Sequence, residues 1–524
     1  MPMRHKLRSS SHFPAAMCIR SISGSGRKTI HGNLAMRGDG QAVRTDRRLT
    51  RLTTALLCSL ALPAAAQHKP VLTVEELQQR LEALERRLGA VATESGNEGG
   101  EFGLADLDQR LRVLERRLEL QQEEQVARAR EAPVIAVNDK GASFKSAGGD
   151  YEIRLRGLVQ GDGRFFLDDH APAQNDTFLL RTARPTIEGS LGKLVGFRLT
   201  PEFAGDNASI VDAYVDLRFS PAYTLRVGKF TSPVGLERLQ SSSALSAVER
   251  SLASELAPNR DIGVQVQGEL ADGRFSYALG VFNGTVDGRD AVTSNPDNEF
   301  EYAGRVFFEP FRNDAGALSG LGFGLGASIG DKRGAGNNFL PRYRTPGQAQ
   351  FFAYRSVVDA DGEHFRLSPQ AYYYRGRFGV LGEYIQSRQE VVLSGGADAG
   401  RRDKLEHTAW QATAQWVLTG EDAGYRGVVK PSRSFRPGEQ GWGAFELIAR
   451  YGALDIDGDA FPLFADATTS AHRARNWTLG LNWYLTSNLK LVFNYLDTTF
   501  KGGTADAADR EDEKAIFSRL QVAF

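Results

Sequence analysis

The chain has 524 residues, of which 41% are hydrophobic, and its mean hydropathy is −0.34. This length exceeds that of one ordinary soluble domain, and the low hydropathy excludes a bundle of transmembrane helices. Lysine plus arginine and aspartate plus glutamate both number 64. Basic and acidic residues are interleaved throughout, which argues against a nucleic-acid partner.

Residues 1–66 have the pattern of an export signal. The basic stretch RTDRRLTRL (44–52) precedes the apolar run TALLCSLALPAAA (54–66). That run is too short to span a bilayer as a helix, which takes roughly 20 residues. Small residues at its end predict cleavage after Ala66. The basic region is unusually long, so Met36 is the alternative start of the chain.

Cleavage would also change the chemistry of the mature chain. It removes both cysteines, Cys18 and Cys58, so an exported protein without disulfides is expected. It leaves 53 basic and 62 acidic residues, a net charge of −9. Any binding of anions therefore has to rest on local clusters of basic residues rather than on an overall positive charge.

Residues 67–132 are predicted to form a periplasmic coiled-coil segment. Leucines recur at three- and four-residue spacing in two runs, Leu77, Leu81, Leu84 and Leu88, then Leu104, Leu107, Leu111, Leu114 and Leu118. Glutamate, glutamine and arginine surround both runs, which is typical of a coiled-coil seam. A helix pair that folds on itself is the alternative, but two short runs bury little alone, which favours self-association. Residues 133–150 are expected to be a linker.

From residue 151 onward, apolar and polar residues alternate in sixteen segments. In YEIRLR (151–156) every second residue is charged, and WTLGLNWYL (477–485) alternates in the same way. The segments lie near 151–167, 177–191, 194–204, 207–219, 221–230, 259–271, 273–283, 299–310, 319–330, 364–376, 377–391, 404–419, 441–455, 477–485, 487–500 and 512–524.

The connections between these segments alternate between short turns and long loops, with exceptions near 203–208 and 420–440. This pattern, with aromatic-rich apolar faces, is typical of an outer-membrane barrel. Residues 151–524 are therefore predicted to form an all-β, 16-stranded antiparallel transmembrane β-barrel. A pair of β-sandwiches is the alternative, but it leaves the aromatic residues at strand ends unexplained. The last segment ends on Phe524, which resembles a membrane-assembly signal.

The charged face of the strands is expected to line a water-filled lumen. Alternation places these cations inside: Arg154, Arg156, Arg164, Arg184, Arg198, Arg218, Arg226, Arg305, Arg366, Arg450, Lys490 and Arg519. Most are expected to pair with acidic residues across strands, such as Glu152, Asp162 and Glu188. Where arginine exceeds acid along a track, guanidinium groups can bind a phosphate or carboxylate in successive bidentate steps.

The connection near 231–258, hereafter the inward loop, is too long and too apolar for a free surface loop. We expect it to fold into the barrel and narrow the pore, where water screens less and a cation attracts anions more strongly. The residues predicted to form the anion pathway and constriction are Arg154, Arg156, Arg184, Arg218, Arg226, Lys229, Arg238, Arg250 and Arg260. Arg519, near the end of the closing strand, is expected to lie in an open vestibule.

Several stretches resemble the phosphate-selective porin O and P family, over about 145–524. Among them are RLRGLVQGDGRFFL, FLLRTARPTIEGSLG, PNRDIGVQVQG and SPQAYYYRGRFGVLGEYI. The resemblance implies a trimeric sixteen-stranded outer-membrane channel that prefers anions, with a ladder of arginines and a central lysine cluster. Arg181 and Arg184 look like part of the ladder. The alternation of their strand, however, points Arg181 away from the lumen, and Thr182 stands where a second adjacent arginine is expected.

We therefore expect a passive channel for phosphate, polyphosphate or other small anions, assembled as a homotrimer in the outer membrane of a Gram-negative bacterium. The alternatives are a general small-solute porin without strong selectivity, or a structural or adhesive barrel tethered through its coiled coil. Catalysis is not expected, because GASIG (326–330) matches G-x-S-x-G but no helix follows it. The histidines lack metal-ligand spacing, so neither a metal nor a cofactor is expected.

Overall fold

The structure, a computed structural model, describes residues 78–87, 101–167, 174–506 and 508–524. The predicted export signal, residues 1–66, lies outside them. Residues 78–87 and Glu101–Glu131 are helical. In the longer helix the seam positions are partly buried, namely Leu107, Leu111, Leu114 and Leu118; their self-association stays a prediction. None of the described helices is both long and apolar enough to cross a membrane.

Among the described residues, twenty β-strands follow these two helical segments. They are β1 Val134–Asn138, β2 Gly141–Lys145, β3 Tyr151–Phe166, β4 Thr177–Leu191, β5 Val195–Glu202, β6 Ser209–Ser220, β7 Tyr223–Thr231, β8 Arg260–Leu270, β9 Phe275–Phe282, β10 Glu301–Phe308, β11 Leu321–Gly334, β12 Arg342–Arg344, β13 Gln350–Ala353, β14 Val358–Arg375, β15 Phe378–Leu393, β16 Arg402–Val417, β17 Ala444–Asp455, β18 Arg473–Tyr484, β19 Leu489–Lys501 and β20 Glu513–Ala523. β3–β11 and β14–β20 are the sixteen strands of one barrel, which confirms the predicted fold.

The barrel closes through hydrogen bonds between its last and first strands. β20 pairs antiparallel with β3, with Ala523 opposite Leu158 and Ala515 opposite Phe166. Each of the other barrel strands pairs with its neighbours along the chain. A closed sheet has no free edge, so its backbone groups are satisfied internally even in hydrocarbon. The start of β3 and the end of β20 lie at one end of the barrel, hereafter the terminal end.

Residues 133–150, predicted to be a linker, contain a β-hairpin instead. β1 pairs with β2, and β2 pairs with the first residues of β3, where Ala142 lies opposite Leu155. The hairpin thus occupies the edge of β3 beyond the point at which β20 ends. The run VIAVN in β1 is rich in β-branched residues, which favour strands, and Gly141 accommodates the turn at a φ of 98°.

The two faces of the barrel wall differ as the alternation predicts. Apolar side chains on the outer face are exposed, among them Val159, Val215, Val264 and Leu325. Charged side chains on the inner face are at most 5% exposed at Arg164, Asp216, Arg366, Arg450 and Arg519. The outer face therefore suits hydrocarbon and the inner face a polar lumen.

Loops from the end opposite the terminal end fill one side of the lumen. The inward loop, observed at 232–259, packs with the connections 335–357 and 456–472 against strands β14–β19. Leu256, Phe352 and Phe464 lie in this cluster and are fully buried. Burial of these large apolar side chains stabilises the loops inside the barrel. Free space remains along strands β3–β10.

One connection at the terminal end also enters the barrel. It spans 418–443, although the alternation of connection lengths predicts a short turn at this position. The hydroxyl of Tyr425 donates a hydrogen bond to the carbonyl of Leu236 in the inward loop (2.7 Å). Its ring stacks on Tyr372 with the ring centres 5.0 Å apart. Two loops from opposite ends of the barrel thus meet inside the lumen.

Because β20 closes the barrel against β3, we expect valine substitutions at two glycines of β3 to affect stability differently. Gly157 exchanges backbone hydrogen bonds of 2.9 and 3.0 Å with Phe524, and a side chain added at Gly157 would begin 2.5 Å from the Phe524 ring. We expect Gly157→Val to displace that ring and to lower the free energy of unfolding by about 1–3 kcal/mol. The measurement is the urea concentration at the midpoint of unfolding, with the folded fraction detected by the gel mobility shift of the folded barrel.

Gly161→Val is the matched control, because no described atom lies within 4 Å of a side chain added at Gly161. Both glycines belong to the same strand and share the outer face. The control should therefore unfold at the urea concentration of the wild type. Equal midpoints for the Gly157 and Gly161 variants would contradict a role of the Phe524 contact in closure.

Candidate functional site

The inward loop is held against the wall by a buried carboxylate. An oxygen of Glu249 lies 2.5 Å from a guanidinium nitrogen of Arg164, 2.7 Å from Arg181 and 3.7 Å from Arg519. Burial alone would raise the pKa of the Glu249 carboxyl, but these guanidinium groups, that of Arg181 above all, hold it well below its usual range. The carboxylate is therefore ionised and serves as a shared partner of three cations.

A second buried carboxylate fixes the start of the inward loop. Glu237 accepts hydrogen bonds from the N–H and hydroxyl of Ser251 (2.8 and 2.7 Å) and from the hydroxyl of Ser254 (2.7 Å). It also pairs with Arg450 of β17 at 3.1 Å. The N–H of Glu237 in turn donates to the carboxylate of Glu383 in β15 (3.2 Å). The loop is thus tied both to itself and to the wall.

Side chains of the wall also bind the backbone of the inward loop. Lys490 donates to the carbonyl of Leu245 (2.6 Å). Arg519 pairs with Asp162 at 2.7 Å and donates to the carbonyl of Val248 (2.6 Å). The prediction of an open vestibule around Arg519 was wrong, because the loop packs over this part of the wall. Arg519 positions the loop and does not line a free passage.

A β-bulge brings Arg181 into the lumen, contrary to the prediction from alternation. Leu180 and Thr182 lie opposite consecutive residues of β3, so Arg181 is an extra residue in the pairing. A bulge of this kind turns two successive side chains toward the same face. Thr182 is buried on the inner side, and the Arg181 guanidinium reaches Glu249.

Beside the inward loop, an open cavity of about 600 Å³ runs along strands β3–β8. Seven of its lining residues are basic and two are acidic, namely Lys140, Arg156, Arg184, Arg198, Arg238, Arg260 and Lys430 against Asp139 and Asp212. The inward loop also contributes three consecutive serines, Ser241–Ser243. Guanidinium, ammonium and hydroxyl groups are the donors that bind oxyanions.

Several arginines of this cavity share acidic partners in the wall. Glu188 pairs with both Arg156 (3.0 Å) and Arg198 (2.5 Å), whose side chains are 39% and 35% exposed. Arg184 pairs with Glu202 at 2.6 Å. Because one carboxylate serves two guanidinium groups, this part of the wall keeps an excess of positive charge.

The structure brings most of the predicted pathway cations to free space. Four of the nine line the 600 Å³ cavity, Arg156, Arg184, Arg238 and Arg260. Three more line a pocket of about 280 Å³ nearer the terminal end, Arg154, Arg218 and Arg226. The basic residues therefore extend from the inward loop toward the terminal end of the barrel.

The two remaining predicted cations lie elsewhere. Arg250 is inside the inward loop, where its guanidinium donates to the carbonyl of Gln240 (2.7 Å); burial lowers its pKa to about 9. Lys229 shares a face of β7 with the exposed Val227 rather than with Arg226. Arg250 thus supports the loop from within, and Lys229 lies on the outer face of the wall.

Some residues of the cavity were missed by reasoning from the sequence. Lys140 comes from the hairpin that was predicted to be a linker, and Lys430 from the unusually long connection 418–443. Ser242 accepts a hydrogen bond from Arg184 (3.1 Å). Two sequence features could have indicated Lys430 and Ser242, namely the length of that connection and the run of serines in the inward loop.

A closed barrel with an apolar outer face and a polar, partly filled lumen defines an outer-membrane porin, a passive channel rather than an enzyme. Residues 153–524 match the family described as phosphate-selective porin O and P. The chain belongs to this family, and its place is the outer membrane of a Gram-negative bacterium.

Three proteins to which this chain is similar are distant from it in sequence. Porin O of Pseudomonas aeruginosa is 23% identical over 424 residues, which cover 75% of this chain and 93% of Porin O. The outer membrane channel DcaP of Acinetobacter baumannii is 12% identical with a TM-score of 0.47, covering 73% of this chain and 99% of DcaP. An anion-selective porin from Comamonas acidovorans is 16% identical with a TM-score of 0.44, and the match covers 72% of this chain and 100% of that porin.

Loss of the Glu249 carboxylate is expected to loosen the inward loop. Glu249→Gln removes the ion pairs with Arg164 and Arg181, and breaking a buried pair costs about 3–5 kcal/mol. We expect a larger single-channel conductance with more open-channel noise in planar bilayers. Glu152→Gln is the matched control, because Glu152 also faces the lumen but pairs with Arg154 of the wall (2.7 Å). An unchanged conductance in Glu249→Gln would contradict the anchoring role.

Proposed function

We propose that this porin is a channel selective for small anions, phosphate among them, and that the inward loop forms its constriction. The observation that carries the proposal is the charge of the cavity beside that loop, with seven basic and two acidic lining residues. Membership of a family described as phosphate-selective supports phosphate as one of the anions.

The arrangement of charges suits passage of an anion rather than capture. Arg156 and Arg198 are already paired with Glu188, so each binds a passing anion weakly enough to release it to the next donor. The inward loop displaces water from one side of the lumen, and water therefore screens these cations less than in an open vestibule. The hydroxyls of Ser241–Ser243 add donors for phosphate oxygens without adding charge.

A general small-solute porin with weak selectivity is the second candidate. It is favoured by the acidic partners of the pathway arginines, since Glu202 pairs with Arg184 and Asp212 lies 3.5 Å from Arg260. Full neutralisation by these carboxylates would leave a reversal potential near zero under a salt gradient. A clear preference for anions would instead support the first candidate.

Charge reversal beside the inward loop is expected to weaken the preference for anions. A unit charge about 4 Å from the anion is worth about 1 kcal/mol even in bulk water. We therefore expect Arg156→Glu and Arg198→Glu to lower the anion-to-cation permeability ratio by about fivefold or more. The measurement is the reversal potential of purified protein in planar bilayers under a potassium chloride gradient.

Lys193→Glu is the control for total charge, because Lys193 is exposed in the turn between β4 and β5. It changes the net charge by the same amount as each of the two lumen substitutions. We expect it to leave the permeability ratio within error of the wild type. Equal shifts in all three variants would show that the pore senses total charge, and the constriction model would then be wrong.

We further propose a homotrimer in which residues 71–130 act as a periplasmic clamp. The half-buried seam of the helix Glu101–Glu131 supports this, because leucine seams of three copies would bury one another. The variant Leu111→Ala/Leu118→Ala should reduce the detergent-resistant oligomer on a gel. Val113→Ala, at a position 48% exposed, should not. An unchanged oligomer after deletion of 71–130 would make the segment a spacer.

Phe524 stays the proposed membrane-assembly signal. Phe524 is 48% exposed, and its backbone pairs with Gly157 at the closing seam. An assembly factor that joins the last strand to the first would meet this ring as it completes the barrel.

A further inference from the structure

The β1–β2 hairpin continues the apolar outer face of the barrel wall. Phe144 of β2 lies opposite Ile153 of β3, and Ile135 of β1 lies opposite Phe144. Residues directly opposite one another in neighbouring strands share a face of the sheet. Ile153 is exposed on the outer face of the wall, so Ile135 and Phe144 belong to that face. Val137 has the same orientation, because it follows Ile135 by two residues.

This face of the hairpin is unsuited to water. Ile135 and Val137 are 64% and 80% exposed, and Phe144 beside them is exposed as well. A group of large apolar side chains on a protein surface marks a place where another apolar surface docks. The hairpin face is therefore expected to be covered in the assembled protein.

The free edge of β1 argues against hydrocarbon as the cover. Among the described residues, β1 pairs with β2 along one edge, and no strand pairs with its other edge. An open sheet edge does not occur in hydrocarbon, because nothing there can bond its backbone N–H and C=O groups. The surface of another protein satisfies both requirements, since it can bury the side chains and also pair with the edge.

Contacts with the barrel fix the position of the hairpin. The side chain of Asn488, in the turn between β18 and β19, donates a hydrogen bond to the carbonyl of Asp139 at the hairpin tip (2.7 Å). At the other end of β2, Lys145 lies 3.5 Å from Glu152 of β3. The hairpin thus presents its apolar face in a defined place, and a partner meets a surface that is already ordered.

The connection to the preceding helix indicates a second copy of this chain as the partner. The helix ends at Glu131 and β1 begins at Val134. Three steps of 3.8 Å between successive Cα atoms keep Val134 within about 11 Å of Glu131. In the proposed homotrimer the helices of three copies pack along one axis, so this short connection holds three hairpins beside that axis.

We propose that the hairpins of three copies pack on one another at the terminal end of the barrels, through the face of Ile135, Val137 and Phe144 and the free edge of β1. The inference rests on the proposed homotrimer and names a contact surface for it outside the helical segment. It also identifies the side of the barrel that is nearest the axis, since the hairpin adjoins β3 and the turn between β18 and β19.

A charge on the apolar face of the hairpin tests this contact. Val137→Asp places a carboxylate among apolar side chains, where desolvation disfavours it. We expect the concentration of purified full-length protein at which half of the trimer dissociates in detergent to rise about tenfold or more. The gel mobility of the folded barrel should not change, because the hairpin lies beyond the pairing of β20 with β3.

Asn138→Asp is the matched control for this charge. It adds the same charge to the opposite face of β1, and the new carboxylate can still accept the hydrogen bond from the N–H of Lys140 (2.9 Å). The trimer of this variant should dissociate at the concentration of the wild type. Equal dissociation of the Val137→Asp variant and the wild type would overturn the proposal.

Excimer fluorescence of pyrene shows directly whether the hairpins meet. Cys18 and Cys58 lie in the predicted export signal, so Val137→Cys gives the exported chain a single thiol for pyrene maleimide. We expect excimer emission from the labelled trimer, because labels on neighbouring hairpins can stack on one another. Leu279→Cys is the control, since Leu279 is also exposed but lies in β9, on the far side of the barrel from β19 and β20. It should give no excimer emission.

Three further outcomes separate this contact from the proposed homotrimer. A stable trimer without excimer emission from Val137→Cys would support the trimer and reject the hairpin contact. A monomer, both in detergent and after chemical crosslinking in liposomes, would reject the homotrimer and this contact with it. Quenching of the label at Val137→Cys by nitroxide groups on lipid chains, as strong as the quenching at Leu279→Cys, would show that hydrocarbon covers the hairpin and would overturn the proposal.

Discussion

The docking of the inward loop through Glu237 and Glu249 determines which side of the barrel lumen stays open. A sixteen-stranded barrel encloses more volume than the side chains of its wall can fill, so loops have to occupy part of it. These two carboxylates bind the loop to inward-facing cations, and the cluster around Phe352 and Phe464 packs behind it. The free space that remains therefore lies along the wall formed by β3–β10, where the exposed arginines lie.

The same docking is coupled to closure of the barrel. The three guanidinium groups around Glu249 come from β3, β4 and β20, which are the strands on either side of the closing seam. Buried ion pairs contribute little net stability, because desolvation offsets attraction, but an unpaired member is strongly destabilising. The charges here thus specify one position of the loop, and that position is complete once β20 has paired with β3.

The alternation of apolar and polar residues was sufficient to predict the sixteen strands and the inward side of residues such as Arg156 and Arg184. It was insufficient where pairing departs from a regular ladder. Arg181 enters the lumen because a bulge inserts it into β4, and a bulge depends on the register with β3. The hairpin at 134–145 and the burial of Arg519 also depend on contacts between distant segments, which strand periodicity does not contain.

The placement of carboxylates, more than that of arginines, decides where positive charge remains in the lumen. Arg226 and Arg305 both line a cavity along strands β6–β10, yet Asp216 neutralises the first while the second has an amide and a ring as partners. A count of arginines on the inner face therefore overstates the field that an anion meets. Moving one acid along the wall would change which arginines stay uncompensated, because the guanidinium positions then keep their geometry and exchange internal partners for external ones.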